Sequence, residues 1–325
     1  MRRSLIRSMF WLAGAAVAMT PMLAGAQAYP TKPIRIVVPY PPGGATDGLV
    51  RPLAQYMTEA LGRTVIVENK PGANGIVGTE SVAKSPPDGY TLVLGAIGPF
   101  AVSGSMQSLP YDPVRDFAPI GFLAAVPNVL VVHPSLPVRS VTELVTLARS
   151  KPDEMTYGSA GPGSSNQLAS ELFNLAAGLK IRHVPYKGGS AAQVDLISGQ
   201  ISMMFDNMPP SIPHIQSGKF RALAVTSLKR QPQLPDVPTM DELGYKGFEA
   251  GSWFGLLAPN GTPAAIVDKL NALVVQAMNM PVLRQRYESL GYALNPGSSA
   301  AFAAFMNAER EKWAKVVAQA GIKAN

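Results

Sequence analysis

The chain reads as an α/β protein of two lobes, each a mostly parallel sheet flanked by helices. Three observations predict it: short β-branched runs alternate with amphipathic helix patterns, the length suits two cores, and two glycine-rich turns occupy equivalent places in the two halves. Ile34–Val38, Thr64–Glu68 and Thr91–Gly95 are four to six residues long, β-rich and bounded by Gly or Pro, so they read as buried strands. Between the first two, Leu49, Val50, Leu53, Met57, Ala60 and Leu61 form one helical stripe that Gly62 stops. Strand–helix–strand repetition with short links requires a parallel sheet covered on both faces.

Further strands are expected at Asn128–His133, Met155–Gly158, Ile181–Val184, Ile201–Phe205, Arg221–Thr226 and Ser252–Ala258. Ser140-Val141-Thr142-Glu143 is a capping box that opens a helix running to about Ser150. Leu168, Leu172, Leu175 and Ala176 mark the inner stripe of another, closed by Gly178. Thr262-Pro263 reads as an N-cap followed by proline at the first helical position. Ile266, Val267, Leu270, Leu273, Val274 and Ala277 then form one face, and a last helix turns Phe302, Phe305, Trp313, Val316 and Val317 inward. Gln231–Pro238 is a Pro-rich loop. Pro52 deletes an early helical hydrogen bond four residues after Gly48; it reads as a harmless first-turn proline or as a yielding point beside the first turn.

Residues 1–28 have the layout of a secretory signal: Arg2, Arg3 and Arg7, an apolar stretch from Met9 to Ala18, then Ala26-Gln27-Ala28 as a small-x-small site cleaved after Ala28. Thr20 and Pro21 end the apolar run before it reaches the roughly 20 residues of a membrane span. Arg2-Arg3 leaves open whether the export route is the general or the twin-arginine one. Removing 28 of 325 residues leaves 297, expected in the periplasm, and lowers the formal charge from +7 to +4 because three arginines and no acid are lost. The remaining basic residues are scattered, which excludes a clustered nucleic-acid surface. With no cysteine there is no thiolate nucleophile, disulfide or zinc–sulfur site. His133, His183 and His214 are too far apart in sequence to read as a metal set or a triad, so no metal, no cofactor and no catalytic residue is expected.

Two segments carry the chemistry. Val38–Asp47, with Tyr40, Gly43, Gly44, Ala45, Thr46 and Asp47, leaves the first strand and opens a helix. Gly158–Asn166, with Ser159, Gly161, Gly163, Ser164 and Ser165, does the same in the second half. A Gly/Ser turn at a helix N-terminus aims unpaired N–H groups and about half a positive charge at an anion. Two such cradles facing each other would grip a ligand with acidic groups. Neither is a dinucleotide or P-loop fingerprint, because Gly158, Gly161 and Gly163 are spaced G-x-x-G-x-G. Ser164 and Ser165 lack G-x-S-x-G and a sequence-adjacent base, which weighs against a hydrolase. Trp253 and Phe254 read as core or hinge packing, and Tyr40 as a ligand contact.

With these motifs the chain resembles the extracytoplasmic receptors of tripartite tricarboxylate transporters, the Bug-type receptors. The likeness rests on Tyr29-Pro30, both cradles, Val67–Ala73, Pro87–Leu92, Leu109–Pro113, His183–Gly189, Leu234–Thr239, Trp253–Gly255 and Lys312-Trp313. The resemblance implies a two-lobed periplasmic-binding-protein (Venus flytrap) fold that closes on a small carboxylate for membrane transporter subunits. A sensor receptor coupled to a membrane kinase would share this fold and site. The division follows as 29–130 plus 255–325 against 131–254, with crossings near Val126–His133 and Glu249–Gly255, and a monomer is expected. The resemblance also places Asp206 at the cleft, holding water or a ligand amino or hydroxyl group. Two departures stand out: Ile97, in Gly95–Phe100, replaces a polar segment, and Gln167 replaces a histidine. Together they imply a ligand with an apolar portion or a single strong acid group.

Overall fold

The computed structural model of the chain describes residues 29–152 and 154–322. The signal-type segment 1–28 lies outside them. In the first half, β1 (Ile34–Val38), α1 (Ala45–Leu61), β2 (Val65–Asn69), α2 (Ile76–Ala83) and β3 (Thr91–Ala96) follow one another as βαβ units. β1 pairs in parallel with β2 and β3. Period two sets the two cores: Ile34, Ile36, Val38, Leu92 and Leu94 pack on α1 with Leu49, Leu53 and Met57, while Val37 and Val93 face Phe100, Trp253, Phe302 and Trp313.

The chain then enters β4 (Phe117–Val132), α3 (Val141–Ser150), β5 (Thr156–Ser159), α4 (Ser165–Ala177), β6 (Arg182–Pro185), α5 (Gly189–Ile197), β7 (Met203–Asn207), α6 (Met208–Gln216) and β8 (Arg221–Val225). It returns through β9 (Gly251–Pro259) to α7 (Ala264–Asn279), α8 (Pro281–Ser289), β10 (Ala293–Leu294) and α9 (Ser299–Ala320). β5 is parallel to β6 and β7, so each half keeps three parallel strands at its outer side. Between them run β4 and β9, antiparallel to each other and common to both halves, giving the path β2-β1-β3-β9-β4-β7-β5-β6. Phe117–Pro127 of β4 pairs with β9, and from Asn128 to Val132 the same strand pairs with β7 and β8. The second half has its own cores, Leu130, Leu144, Tyr157, Phe173 and Phe205 on one face, Val129, Met204, Met208 and Ile212 on the other.

Several local expectations shift. β4 starts eleven residues before the strand expected at Asn128. Pro119, Gly121 and Pro127 punctuate that stretch, and the ladder absorbs the first two by slipping register after Pro119 and again after Phe122. In α4 the buried stripe is Leu168, Ala169, Phe173 and Ala177, and Leu175 is 65 % exposed. Phe173, an aromatic absent from the expected stripe, takes the core place. Pro263, not Thr262, is the N-cap of α7; Thr262 Oγ1 is spent on the Pro259 carbonyl at 2.8 Å. Pro52 is the eighth residue of α1 and buried, so it is not a first-turn proline. The capping box forms: Ser140 Oγ accepts from Glu143 N at 3.1 Å, and the Glu143 carboxylate reaches back to Arg139 N. Among the described residues no helix is long and apolar enough to cross a membrane.

Candidate functional site

Both cradles end on one cavity of about 540 Å³ including its mouth. Gly44 caps α1 in extended conformation, and Asp47 N and Gly48 N return to its carbonyl at 3.1 Å. Ala45 N and Thr46 N therefore have no backbone partner among the described residues, and both residues line the cavity. Ser164 caps α4, its Oγ taking Gln167 N at 3.3 Å, which leaves Ser165 N and Asn166 N at the opposite wall. A third and a fourth helix start, Gly189-Ser190 of α5 and Asn207 before α6, complete the ring. Strand ends feeding helix N-termini are where open α/β sheets bind ligands, and here four of them converge.

Of the residues singled out from sequence, Tyr40, Gly44, Ala45, Thr46, Ile97, Ser164, Ser165 and Asp206 line this cavity. Gly43, Asp47, Ser159, Gly161 and Gly163 stand behind it. Gly43, Gly161 and Gly163 turn the loops at positive φ. Asp47 Oδ2 takes Arg51 Nε at 2.8 Å and its Oδ1 takes Asn69 Nδ2 at 3.2 Å, so it braces the first loop. Burial raises its affinity for a proton, but those hydrogen bonds outweigh burial and hold the carboxyl below its usual range.

Ser159 is fully buried, its Oγ 2.6 Å from His183 Nε2 and accepting Gly161 N at 3.0 Å. Gln167 Oε1 accepts Gly163 N at 2.7 Å, which orients its Nε2 toward His183 Nδ1 at 3.5 Å. The imidazole is held between Ser159 Oγ and the Gln167 amide, one at each ring nitrogen. Gln167 thus faces the loop, and of the two departures only Ile97 reaches the cavity. His183 also stacks on Tyr157 at 4.9 Å, and burial pushes its pKa down to about 4. Because the folded value lies below the unfolded one, His183 supports stability fully above pH ~6.5 and loses that support as pH falls toward 4. After allowing for solvent screening of a half-buried ring, about 1–2 kcal/mol should vanish between pH 7 and 4.5. Urea unfolding of wild type and His183→Gln at both pH values checks this: the variant should lack that part of the acid loss.

Sequence reasoning missed Asn74, Asn128, Gln193 and Asn207. Asn74 sits at φ 49°, ψ 41°, takes Tyr40 Oη on its carbonyl at 3.3 Å, and donates Nδ2 to Pro162 O of the second cradle at 2.9 Å. Asn128 is fully buried; Nδ2 donates to Ser165 O at 3.0 Å and Oδ1 accepts Asn207 Nδ2 at 2.8 Å. Gln193 Nε2 and Ser211 Oγ both donate to Asp206 Oδ2 at 2.5 Å. Burial nevertheless pushes Asp206 up to about 6, the hydrogen bonds pulling it back only in part. Phe254, expected in packing, also lines the cavity, whereas Trp253 stays in the core against Phe302. One signal for the missed wall was present: Gly188-Gly189 after β6 repeats the strand–glycine–helix pattern of the two cradles.

Two α/β halves joined by shared strands, with helix N-termini meeting in the cleft between them, define a periplasmic-type solute-binding protein. The chain belongs to the tripartite tricarboxylate transporter receptor family, whose model matches residues 49–322. It is 40% identical over 318 residues to a protein encoded in the tcbD–tcbE intergenic region of Pseudomonas sp. strain P51, covering 97% of this chain and 95% of that one. It is 39% identical over 300 residues to protein BugT of Bordetella pertussis, covering 92% of each. Among solved structures, R. palustris Rpa4515 with adipate superposes with TM-score 0.88 at 38% identity, covering 91% of this chain and 99% of that one. MatC from Rhodopseudomonas palustris with bound malate gives 0.85 at 32%, covering 89% and 100%, and periplasmic binding protein BugD gives 0.87 at 39%, covering 91% and 99%.

Proposed function

We propose that this chain is an exported receptor that captures a small organic carboxylate between its lobes and presents it to membrane subunits of a tripartite tricarboxylate-type transporter. The observation that carries the reading is the meeting of α1 and α4 N-termini, one from each half, with free N–H groups on one cavity. Adipate and malate in the relatives' structures support the ligand class. Ala45 and Thr46 from the first loop, and Ser164 and Ser165 from the second, hold the carboxyl groups. Tyr40 and Ile97 contact the ligand's carbon frame, and Asp206 meets a polar group on it. Gly43, Asp47, Ser159, Gly161 and Gly163 hold the loops in shape.

The protein works as a periplasmic monomer, with residues 1–28 removed and the lobes divided as 29–130 plus 255–325 against 131–254; the change of ladder partner after Pro127 supports that division. It binds without turnover: among the described residues the serine–histidine contact near the site, Ser159 with His183, lies behind the cavity wall and not on it. Thermal unfolding of residues 29–325 after unfolding and refolding, against di- and tricarboxylates, acidic amino acids, aromatic acids, sugars and nucleotides, tests the reading. A cognate acid at one hundred times its Kd adds about 2.7 kcal/mol and raises the melting temperature by several degrees. Shifts with sugars or nucleotides alone would overturn it.

A further inference from the structure

Granting that the cavity takes carboxylates, its charge inventory narrows which. Among the described residues no Arg, Lys or His lines it, and Asp206, 2 % exposed, is the one carboxylate on its wall. Positive potential comes from the N-termini of α1, α4, α5 and α6, each about half a charge, or roughly two in all. An ionised Asp206 offsets about one of that. A net monoanion then nearly balances the site. A dianion leaves about one full charge uncompensated, which becomes strongly unfavourable once the halves close over it and exclude water. Among the described residues the side-chain donors Gln193 and Ser211 both take Oδ2 of Asp206, and no side chain donates to Oδ1, the oxygen that faces a ligand donor.

We propose that the receptor selects by net charge: it takes an acid that enters as a net monoanion and offers a hydrogen-bond donor to Asp206, and a dianion enters only with uptake of one proton. The proton's place is Asp206 or the ligand carboxyl that faces it. The groups packed on Asp206 are Val129 of β4, Gly189 and Gln193 of α5, the backbone N–H of Asn207, which supports the carboxylate, and Ser211 of α6, none of them charged. Asn166 of α4 holds the neighbouring Phe205 carbonyl, and Tyr40, whose hydroxyl burial pushes far above its usual range, is the other titratable group on the wall. Burial has already moved Asp206 up to about 6, and a nearby ligand anion moves it further in the same direction.

L-malate and L-aspartate share a four-carbon diacid frame but are a net dianion and a net monoanion at pH 8; adipate supplies a second dianion. Titration calorimetry of the full mature chain in phosphate and in Tris reads protons taken up per ligand. Malate and adipate should take up about one proton and lose about tenfold in affinity per pH unit between pH 7 and 9, since one proton is linked to binding. Aspartate should take up none and stay flat. Asp206→Asn should flatten the slope for the dianions. Dianions that bind without proton uptake and with no pH slope in wild type overturn this proposal while leaving carboxylate capture intact. Failure of all three acids, and of any other carboxylate, to bind from pH 5 to 9 overturns both.

Discussion

Gly188→Ala should weaken binding of the best carboxylate about a hundredfold, near 2.7 kcal/mol. Gly188 caps α5 at φ 155°, ψ 161°, and a Cβ there would stand 2.5 Å from Cδ and Cγ of Pro41 in the first-half loop. A proline ring cannot swing aside, so the methyl is accommodated by moving the two walls apart. The N–H groups of α1 and α4 then no longer reach one ligand together, and preorganisation of the site is lost. The unliganded fold has less to lose, because the clash lies at the cleft and not in a core. Calorimetric titration together with the melting temperature of the free protein separates the two effects. An affinity within threefold of wild type, with the protein folded, would show that the walls need not approach as closely as drawn.

Asn128→Ala should cost about 3 kcal/mol of stability and also damage binding. The side chain is fully buried and holds Ser165 O and Asn207 Nδ2, one the first residue of α4 and the other the N-cap of α6. Truncation removes both bonds and leaves a void in a fully buried position; Asn207 Nδ2 keeps only its longer bond to Ser165 Oγ at 3.3 Å, and each lost buried bond costs about 1–1.5 kcal/mol beside the void. For a chain of this size the melting temperature falls by roughly 5 °C. Urea unfolding measures it; a loss below about 1 kcal/mol would mean that water replaces the amide at no cost.

The sheet was legible because its strands are short β-branched runs between breakers. Ile34–Val38 stands between Pro33 and Pro39, and four of its five residues are buried, as a strand covered on both faces requires. Helix starts were legible where chemistry is local, as at Ser140 and Ser164. The central strands were only half legible: Pro119 and Gly121 look like breaks, and only a partner strand that tolerates a slipped register shows otherwise. At the site, the loops that carry N–H groups announce themselves through glycine and serine. Residues that brace them do not. Asn74 and Pro162 meet across 88 positions and Asn128 and Asn207 across 79, so no spacing rule connects them. Ser159 and Asp47 show the converse. Their residue types suit a ligand site, yet closer partners, His183 and Arg51, claim their polar atoms first.

The shared strands β4 and β9 decide how such a molecule can move. A single linker would let the halves swing in any direction, whereas two adjacent strands tied by a ladder resist sliding and permit twist and bend. Their stiffness is uneven. Pro127 faces Gly251, so at that rung one partner has no N–H to give and the other has no side chain to pack. The next pairs outward are Val126 with Ser252 and Ala125 with Trp253, where a full ladder and the aromatic core clamp the strands again. Deformation therefore concentrates within about one residue of that rung, like a crease pressed into a stiff sheet. If the halves close on a ligand as proposed, this crease gives them a single preferred axis, so that each closing stroke would bring the same N–H groups to the same place.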